Sequence, residues 1–378
     1  MLINAKSHYP IGLDISDLSL KVIQLNKNRD GIKIQAVGSK KVPPGFIENG
    51  EIKDFKQVGK IILELLNKPN FGVITSKEVI TCLPETRTFV KLIHVDKSPN
   101  PIKKIIANEI ENHIPMDVKE IYFDWQIIKE QSDHYDVLIG ASPKHIVDQY
   151  TKLLDEIGLT ALALEIEPIS ICRSILKEEA PNFKDNSNTN YCIFDLGAIR
   201  SSLMIYSKNT ILFTVSLPIA GDEISRIIAE ELQINYDQAN MAKKLCGLSQ
   251  ENDCNYVHKI INEPINILVE KVKDTIDFYY NNYSDMGPLN QIFLSGGLAN
   301  LKNLDSVISQ ATGLPVEIGD SLTHISVSAK EMQEINKQNR FPQIKIFTNN
   351  DSGNTNRVKI DSDFATAVGL GLRGIFTE

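Results

Sequence analysis

The chain opens on three short runs rich in apolar residues: Ile11-Gly-Leu-Asp-Ile, Leu20-Lys-Val-Ile-Gln-Leu and Ile32-Lys-Ile-Gln-Ala-Val. Asn26, Asn28, Asp30 and Gly31 punctuate them, and a polar loop follows the first. Such runs bounded by turn formers predict a β-meander. The period then changes. Phe55, Val58, Ile61, Ile62, Leu65 and Leu66 recur at helical spacing, so residues 54–66 form a helix. Val79 to Leu83 reads as a short apolar strand ended by Pro84.

From Thr86 to about Ala141 the pattern predicts a compact insertion. A strand over 88–95 comes first, and Asn100-Pro101 then starts a helix with Ile102, Ile105, Ile106, Ile110 and Ile114 on one face. Strands over 121–128 and 135–140 follow, joined by the polar turn EQSD. A helix over 144–157 is stopped by Gly158, then come a strand over 162–166 and a helix over 168–178. The stretch PNFKDNSNTN, 181–190, reads as a linker.

Beyond it the opening pattern returns, with Tyr191-Cys-Ile-Phe-Asp-Leu-Gly, Ser202-Leu-Met-Ile-Tyr and Ile211-Leu-Phe-Thr-Val. Helices are expected over 222–232, 236–245 and 263–281. A strand from Gln291 then passes through Ser-Gly-Gly into a helix over 298–310. A polar loop, 349–357, precedes a last helix over 363–372. Alternating strands and helices give an α/β protein.

Composition narrows the classes. The 378 residues suffice for two or three domains, and 42% apolar with 23% charged residues is ordinary for a globular chain. Lys and Arg number 40 against 48 Asp and Glu, a net charge of −8, which offers nucleic acid no broad basic field. The five cysteines form no CxxC, and the closest pair is Cys246 and Cys254. Reduced thiols are therefore expected, rather than a zinc site or a disulfide framework. The start shows no basic stretch followed by an apolar run, so no signal peptide is expected. The longest uncharged stretch, Met286 to Leu301, falls short of the roughly 18–20 residues of a spanning helix. The seven histidines make no HxxxH or HExxH, and neither a P-loop nor a G-x-S-x-G elbow occurs. A cytoplasmic protein is the expectation.

The candidate chemistry lies in the two meanders. Asp14 and Asp195 each end a strand before a tight turn, 181 residues apart. Turns of this kind present backbone N–H groups to anions such as phosphate, and carboxylates at their edges can hold Mg²⁺ directly or through water. The bland reading, Asp as a turn former, stands beside it. A third element, Leu294-Ser-Gly-Gly-Leu-Ala-Asn, lets backbone approach a ribose or adenine without a Cβ in the way.

In this order the elements resemble the actin/Hsp70/sugar-kinase superfamily. Asp14 to Lys21 is similar to its first phosphate loop, Asp195 to Ser202 to the second, and Leu294 to Asn300 to the adenosine loop. Glu167-Pro168 resembles the first connecting element, where the superfamily often carries a carboxylate near the attacking water, and Ala365 to Gly371 the second connecting helix. The resemblance implies nucleotide contacts from Asp14, Ser16, Lys21, Asp195, Gly197, Ser201, Ser202, Gly221, Lys243, Gly296, Gly297 and Asn300. It also implies Mg²⁺ at Asp14 and Asp195, and Glu167 as the only catalytic candidate. Ser16 departs from the glycine common in the first loop.

Several stretches narrow the match. Arg87-Thr-Phe-Val-Lys, Glu109-Ile-Glu-Asn-His-Ile-Pro-Met, Ile121-Tyr-Phe-Asp-Trp-Gln, Leu164-Glu-Ile-Glu-Pro, Pro218-Ile-Ala-Gly-Asp-Glu-Ile and Ala365-Thr-Ala-Val-Gly-Leu-Gly-Leu-Arg-Gly resemble the PilM family of type IV pilus assembly, within the FtsA-like branch. This implies a duplicated actin-like ATPase, or ribonuclease H-like, fold with an SHS2-type 1C insertion. Subdomain 1A would comprise 1–85 with 143–189 and 348–378, 1C 86–142, 2A 190–221 with 290–347, and 2B 222–289. The family further implies ATP with Mg²⁺ and at most slow hydrolysis. It implies a partner peptide, the cytoplasmic N-terminal tail of a PilN-like protein, in a groove between 1A and 1C whose residues stay unassigned. Other pilus assembly proteins would be partners, self-association is open, nucleic acid is not expected, and the inner membrane would be reached only through a partner. Two rivals share the fold: a filament-forming, FtsA-like division protein and a small-molecule kinase.

Overall fold

The structure, a computed structural model, describes residues 9–114, 116–177, 189–217, 219–326, 344–347 and 357–376. The expected linker over 181–190 and loop over 349–357 lie outside the described residues except at their C-terminal ends. The chain divides into two compact units, Met1–Phe183 with Asp320–Glu378, and Lys184–Gly319.

In the first unit β1 (Ile11–Ser16), β2 (Ser19–Asn28) and β3 (Gly31–Lys41) form the expected meander, with Asp14 opposite Lys21 and Ser16 opposite Ser19. A small hairpin, β4 (Ile47–Glu48) and β5 (Glu51–Ile52), leads to α1 (Phe55–Asn67), whose N-terminus is capped by the Asp54 carboxylate accepting from the Gln57 N–H. After β6 (Phe71–Gly72), β7 (Glu78–Leu83) lies parallel to β1. The insertion consists of β8 (Phe89–Asp96), α2 (Ile102–His113), β9 (Ile121–Glu130) and β10 (His134–Pro143), its strands antiparallel in the order β8-β10-β9. Ile106 and Ile110 of α2 pack on Ile93, Val95, Val137 and Ile139, so the isoleucine face serves the insertion's own core. Then come α3 (Lys144–Glu156), β11 (Thr160–Ile166), parallel to β7, and α4 (Glu167–Ile175). Six strands run in the order β11-β7-β1-β2-β3-β6.

The second unit contains β12 (Asn190–Leu196), β13 (Ser201–Ser207), β14 (Thr210–Leu217), α5 (Gly221–Leu232), α6 (Tyr236–Cys246), α7 (Asn255–Asn282), β15 (Gln291–Ser295), α8 (Leu304–Thr312) and β16 (Val316–Ile318). Its strands run β16-β15-β12-β13-β14: an antiparallel meander with two parallel strands added beside its first strand. The first unit follows the same plan with β3-β2-β1-β7-β11. Each unit therefore repeats one topology around its own opening aspartate strand.

Three expectations need correction. Helix α7 begins at Asn255 and continues through Pro264, whereas the sequence pattern began it at 263. Proline inside a helix normally signals a boundary, but here the preceding residues extend it. Residues 320–326, placed above with the second half, belong to the first: Leu322 and Ile325 pack with Ile23, Leu25, Val37 and Phe364, and Ile325 bridges Ile32. Finally, Cys246 and Cys254 are joined as a disulfide with their Cα atoms 5.1 Å apart, while Cys82, Cys172 and Cys192 remain buried thiols. The pair spans the turn between α6 and α7, where Gly247 takes a positive φ of 53°. Reading for CxxC spacing alone overlooks such a turn.

The first unit returns through β17 (Ile344–Phe347), β18 (Arg357–Ile360) and α9 (Ala365–Phe376). Side chains alternate across a strand, so Ile11, Leu13 and Ile15 of β1 enter the core formed with α1 and α3, leaving Gly12 and Asp14 for the opposite face. There α9 lies almost backbone to backbone on the sheet. A Cβ at Gly12 would sit 2.5 Å from the carbonyl oxygen of Ala367, and one at Gly369 would sit 1.8 Å from that of Ser170 in α4. The same corner is tied by charge. The buried Glu165 carboxylate accepts from both terminal nitrogens of Arg173 at 2.8 Å and from Arg373 at 2.6 Å, while Arg173 also donates to the Gly369 carbonyl.

Two substitutions test this packing by urea denaturation. Gly369→Ala is expected to lower stability by roughly 2–3 kcal/mol, because helix and helix cannot both keep their places. Glu165→Gln should cost about 3 kcal/mol, since it leaves two arginines around an uncharged group. Stabilities within error of the parent chain would show that the corner relaxes freely.

Candidate functional site

Each unit carries a cluster at the end of its first strand. In the first, the β1–β2 register sets Lys21 across from Asp14, and Lys21 Nζ donates to Asp14 Oδ2 at 3.2 Å and to Ser19 Oγ at 3.2 Å. Ser16 Oγ donates to Asp14 Oδ1 at 2.8 Å. Asp14 is 2% exposed, so this is a buried ion pair braced by hydroxyls. Asp17, in the turn, accepts the backbone N–H groups of Asn49 and Gly50 and fixes the hairpin's tip to the neighbouring loop.

Glu167, the first residue of α4 after β11, reaches the same place. Asp14, Cys82 and Glu167 each offer a donor atom, and these lie within 4.8 Å of one another. Thr366 of α9 donates to Glu167 Oε1 at 3.2 Å. Burial works to lower the Lys21 pKa, but Asp14, Asp363 and Glu167 outweigh it and hold the ammonium above the ordinary lysine range. Burial, with Glu167 and Asp14 adding, pushes the Cys82 thiol well up, so Cys82 is a neutral neighbour. The structure thus brings Asp14, Ser16, Lys21 and Glu167 together. Thr366, Asp363 and Cys82 escaped the sequence reading; only the position of Thr366 in the terminal motif hinted at its role.

In the second unit, Asp195 is paired in register with Ser202 of β13 and Ser295 of β15. The backbone that follows folds on itself: the Gly221 N–H donates to the Gly197 carbonyl at 3.1 Å, and the Asp222 N–H to that of Ala198 at 2.8 Å. Gly296, with φ of 81°, lies against the backbone of Leu196, where a Cβ would meet its carbonyl oxygen at 2.4 Å. Only glycine accommodates both demands. Gly297 and Asn300 bound the single helical turn after β15. Ser201 donates to the Ile219 carbonyl at 2.6 Å, so its hydroxyl secures the entry to α5.

Lys243 is buried. Its Nζ donates to the Gly221 carbonyl and, at 2.7 Å, to Ser225 Oγ. Burial holds its pKa down to about 8, with Lys244 adding to the effect and Asp222 opposing it. Ser225, one turn beyond Gly221, went unnoticed in the sequence. Gly197, Gly221, Lys243 and Gly296 therefore assemble around one loop.

A separate groove of about 580 Å³ opens in the first unit between the insertion and α3. Tyr122 of β9 forms one wall, and Val147, Asp148, Thr151, Lys152, Asp155 and Glu156 the other. Lys144 lies over the Tyr122 ring at 5.6 Å, and Lys152 over that of Phe55 at 5.4 Å. Among the described residues no helix is long and apolar enough to cross a membrane.

The decisive comparison is with protein families: a model described as type IV pilus assembly protein PilM matches residues 12–344. The chain belongs to the PilM family. A solved PilM-PilN type IV pilus biogenesis complex is similar over 97% of this chain and 98% of that one, with a TM-score of 0.78 at 20% identity. The ethanolamine utilization protein EutJ of Carboxydothermus hydrogenoformans follows at a TM-score of 0.56 and 14% identity, covering 96% of this chain and 89% of that one. An MreB protein of Spiroplasma citri bound to AMPPNP gives 0.51 at 12% identity, over 89% of this chain and 96% of that one. The duplicated actin-like ATPase fold is thereby shared. By sequence, the cell division protein FtsA of Staphylococcus epidermidis is 24% identical over 273 residues, 64% of this chain and 55% of FtsA. The chain thus spans about half the length of that relative, and FtsA is distant from this PilM-family member.

The depressed Lys243 yields a signed prediction. A lysine with a folded pKa of about 8 and an unfolded pKa near 10.5 costs stability while charged in the fold. Stability should rise as pH increases from about 8 to about 10.5, where the unfolded state binds the extra proton. Lys243→Met should lack this rise in urea titrations across the same range. Parallel profiles would place the amine in water.

Proposed function

We propose that this PilM-family chain is an ATP-binding docking scaffold of the pilus inner-membrane assembly, taking up the cytoplasmic N-terminal tail of a PilN-like membrane protein. The observation that carries the reading is the family match over residues 12–344. The similar PilM-PilN complex supports the partner, and the similar MreB bound to AMPPNP supports the nucleotide. Attachment at the inner membrane would then come from the partner.

Nucleotide binding would use Asp14, Ser16 and Lys21 in one unit, and Asp195, Gly197, Ser201, Ser202, Gly221, Lys243, Gly296, Gly297 and Asn300 in the other. The backbone loop at Gly197 and Gly221 and the Lys21 ammonium suit phosphate. Mg²⁺ fits the oxygen donors of the first cluster. Asp14 and Glu167 converge, and Asp363 Oδ1 is buried with no hydrogen-bond partner among the described residues. Asp14 would hold the ion in the first unit, and Asp195 is the corresponding carboxylate of the second; when bound the ion neutralises phosphate charge, and the Cys82 thiol is not a ligand of the kind Mg²⁺ takes. Glu167, held by Thr366, would orient water, with turnover slow at most. ATP would act as a conformational ligand, favouring the state it binds better.

The groove at Tyr122 fits the peptide. It joins the insertion to α3, offers an aromatic wall, and carries Asp148, Asp155 and Glu156 against Lys152, so a tail with basic and apolar residues is favoured.

Calorimetric titration of such a tail peptide into the full chain, with and without Mg-ATP, tests the proposal. Binding that changes with nucleotide and weakens in Tyr122→Ala is the expected result. No binding in either condition overturns the docking role. For the nucleotide, Lys21→Met should weaken ATP by about 10-fold in a fluorescent-analogue competition, as loss of a charge-assisted hydrogen bond would. Unchanged affinity would remove the hairpin from the site.

A further inference from the structure

A second cluster of ligating groups lies on the insertion, apart from both strand-end clusters. Cross-strand register sets His94 of β8 against Asp136 of β10, and His134 of β10 against Asp96 of β8. Alternation puts all four on the face of these strands opposite α2. His94 Nδ1 and Asp136 Oδ1 are 2.5 Å apart, and His134 Nε2 is 3.5 Å from the same oxygen. The two rings meet edge to face, with centroids 5.3 Å apart. The donor atoms of His94, His134 and Asp136 all lie within 4.8 Å of one another.

A neighbouring carboxylate fixes the tautomer of one ring. Asp133 Oδ1 sits 2.8 Å from His134 Nδ1. A carboxylate only accepts, so Nδ1 carries a proton, and in the neutral ring the Nε2 lone pair is directed toward Asp136. Nε2 and the Asp136 carboxylate oxygen, 3.5 Å apart, then converge on a point that a proton on Nε2 or a metal ion can fill. The arrangement of carboxylate, imidazole and open lone pair is the one that orients histidine for a metal and raises its basicity.

We propose that His94, His134 and Asp136 form a surface Zn²⁺ site, with Asp133 positioning His134. Two imidazoles and a carboxylate are a donor set that Zn²⁺ accepts, with metal–ligand distances of about 2.0–2.2 Å. On binding, the ion takes the place of the proton on His94 Nδ1, and Nε2 of the same ring takes one up from solvent, so the imidazole stays neutral with no net proton released. The His94 side chain is 63% exposed and has room to adjust toward an ion, while Asp136 at 15% is the more enclosed donor. Asp96 and Asp133 add negative charge, and Lys129, opposite Asp136 in the β9–β10 register, opposes it. Three protein donors on an exposed face leave the fourth position of a tetrahedral ion to water or to a donor from another molecule. Bound there, the ion adds a side-chain tie between β8 and β10 to their backbone ladder.

The test is calorimetric titration of the EDTA-stripped full chain with ZnCl₂ at neutral pH, alongside Co²⁺ absorption to identify the donor atoms. The expected result is one ion per chain. His94→Ala and His134→Ala should each weaken binding by at least about 10-fold, and Asp133→Asn, which leaves all three ligands in place, by about 10-fold. The Co²⁺ spectrum should show visible d–d bands without near-ultraviolet thiolate charge transfer, which separates this site from the cysteines. Because these side chains are surface groups, metal-free melting temperatures should match the parent. Equal affinity in the His94→Ala/His134→Ala double variant, or no binding by the parent chain, overturns the assignment.

Discussion

Helix α9 lies on β1 and against α4 with glycine wherever their backbones meet. Gly12, Gly369, Gly371 and Gly374 each stand where a Cβ would strike a neighbour. That closeness has a chemical consequence. It brings Thr366 to the Glu167 carboxylate and lets Asp363 act on Lys21, so the helix that completes the core also furnishes the outer layer of the strand-end cluster. The two-nitrogen fork of Arg173 on Glu165 and the single hydrogen bond from Arg373 pin the helix along its axis, where glycine contacts alone would let it slide.

The strand-end cluster itself is a balance of buried charge. Asp14, Glu167 and Asp363 surround one ammonium, and the balance keeps Lys21 charged despite its burial. Such a site is poorly disposed to take in a bare anion, yet well disposed toward an anion that arrives with its own cation. The second unit uses a different economy. Its loop closes on itself through backbone hydrogen bonds and is backed by one lysine that burial has made less basic. Two halves of one duplicated topology have thus diverged, one toward carboxylates and the other toward glycine and amide.

What the sequence disclosed follows from range. Both meanders, the strand-helix-strand-strand insertion and the start of α4 at Glu167-Pro168 were legible because each rests on local periodicity or turn chemistry. Asp14 and Lys21 were legible as members of one strand-turn-strand, but their buried ion pair was not, because it depends on the exact register across the turn. Thr366 and Ser225 were not, since hydroxyls on helices carry no pattern that announces a partner 199 or 18 residues away. Nor was the grouping of residues 320–326 with the first unit, which depends on apolar packing against Ile32 and Phe364 rather than on any local signal. The groove at Tyr122 combines residues of β9 and α3 and exists only once the insertion is folded.

The discontinuity of the first unit has a bearing on how the protein is made. Its central sheet leaves the ribosome early, and α1 and α3 follow closely enough to cover one side. The other side, with Ile23, Leu25 and Val37, meets Phe364, Val368 and Leu372 only after the whole second unit has been synthesised. Throughout that interval a greasy surface is presented to the cell while a complete neighbouring unit is already able to fold. Late closure makes translation through the second unit the period in which aggregation competes with folding.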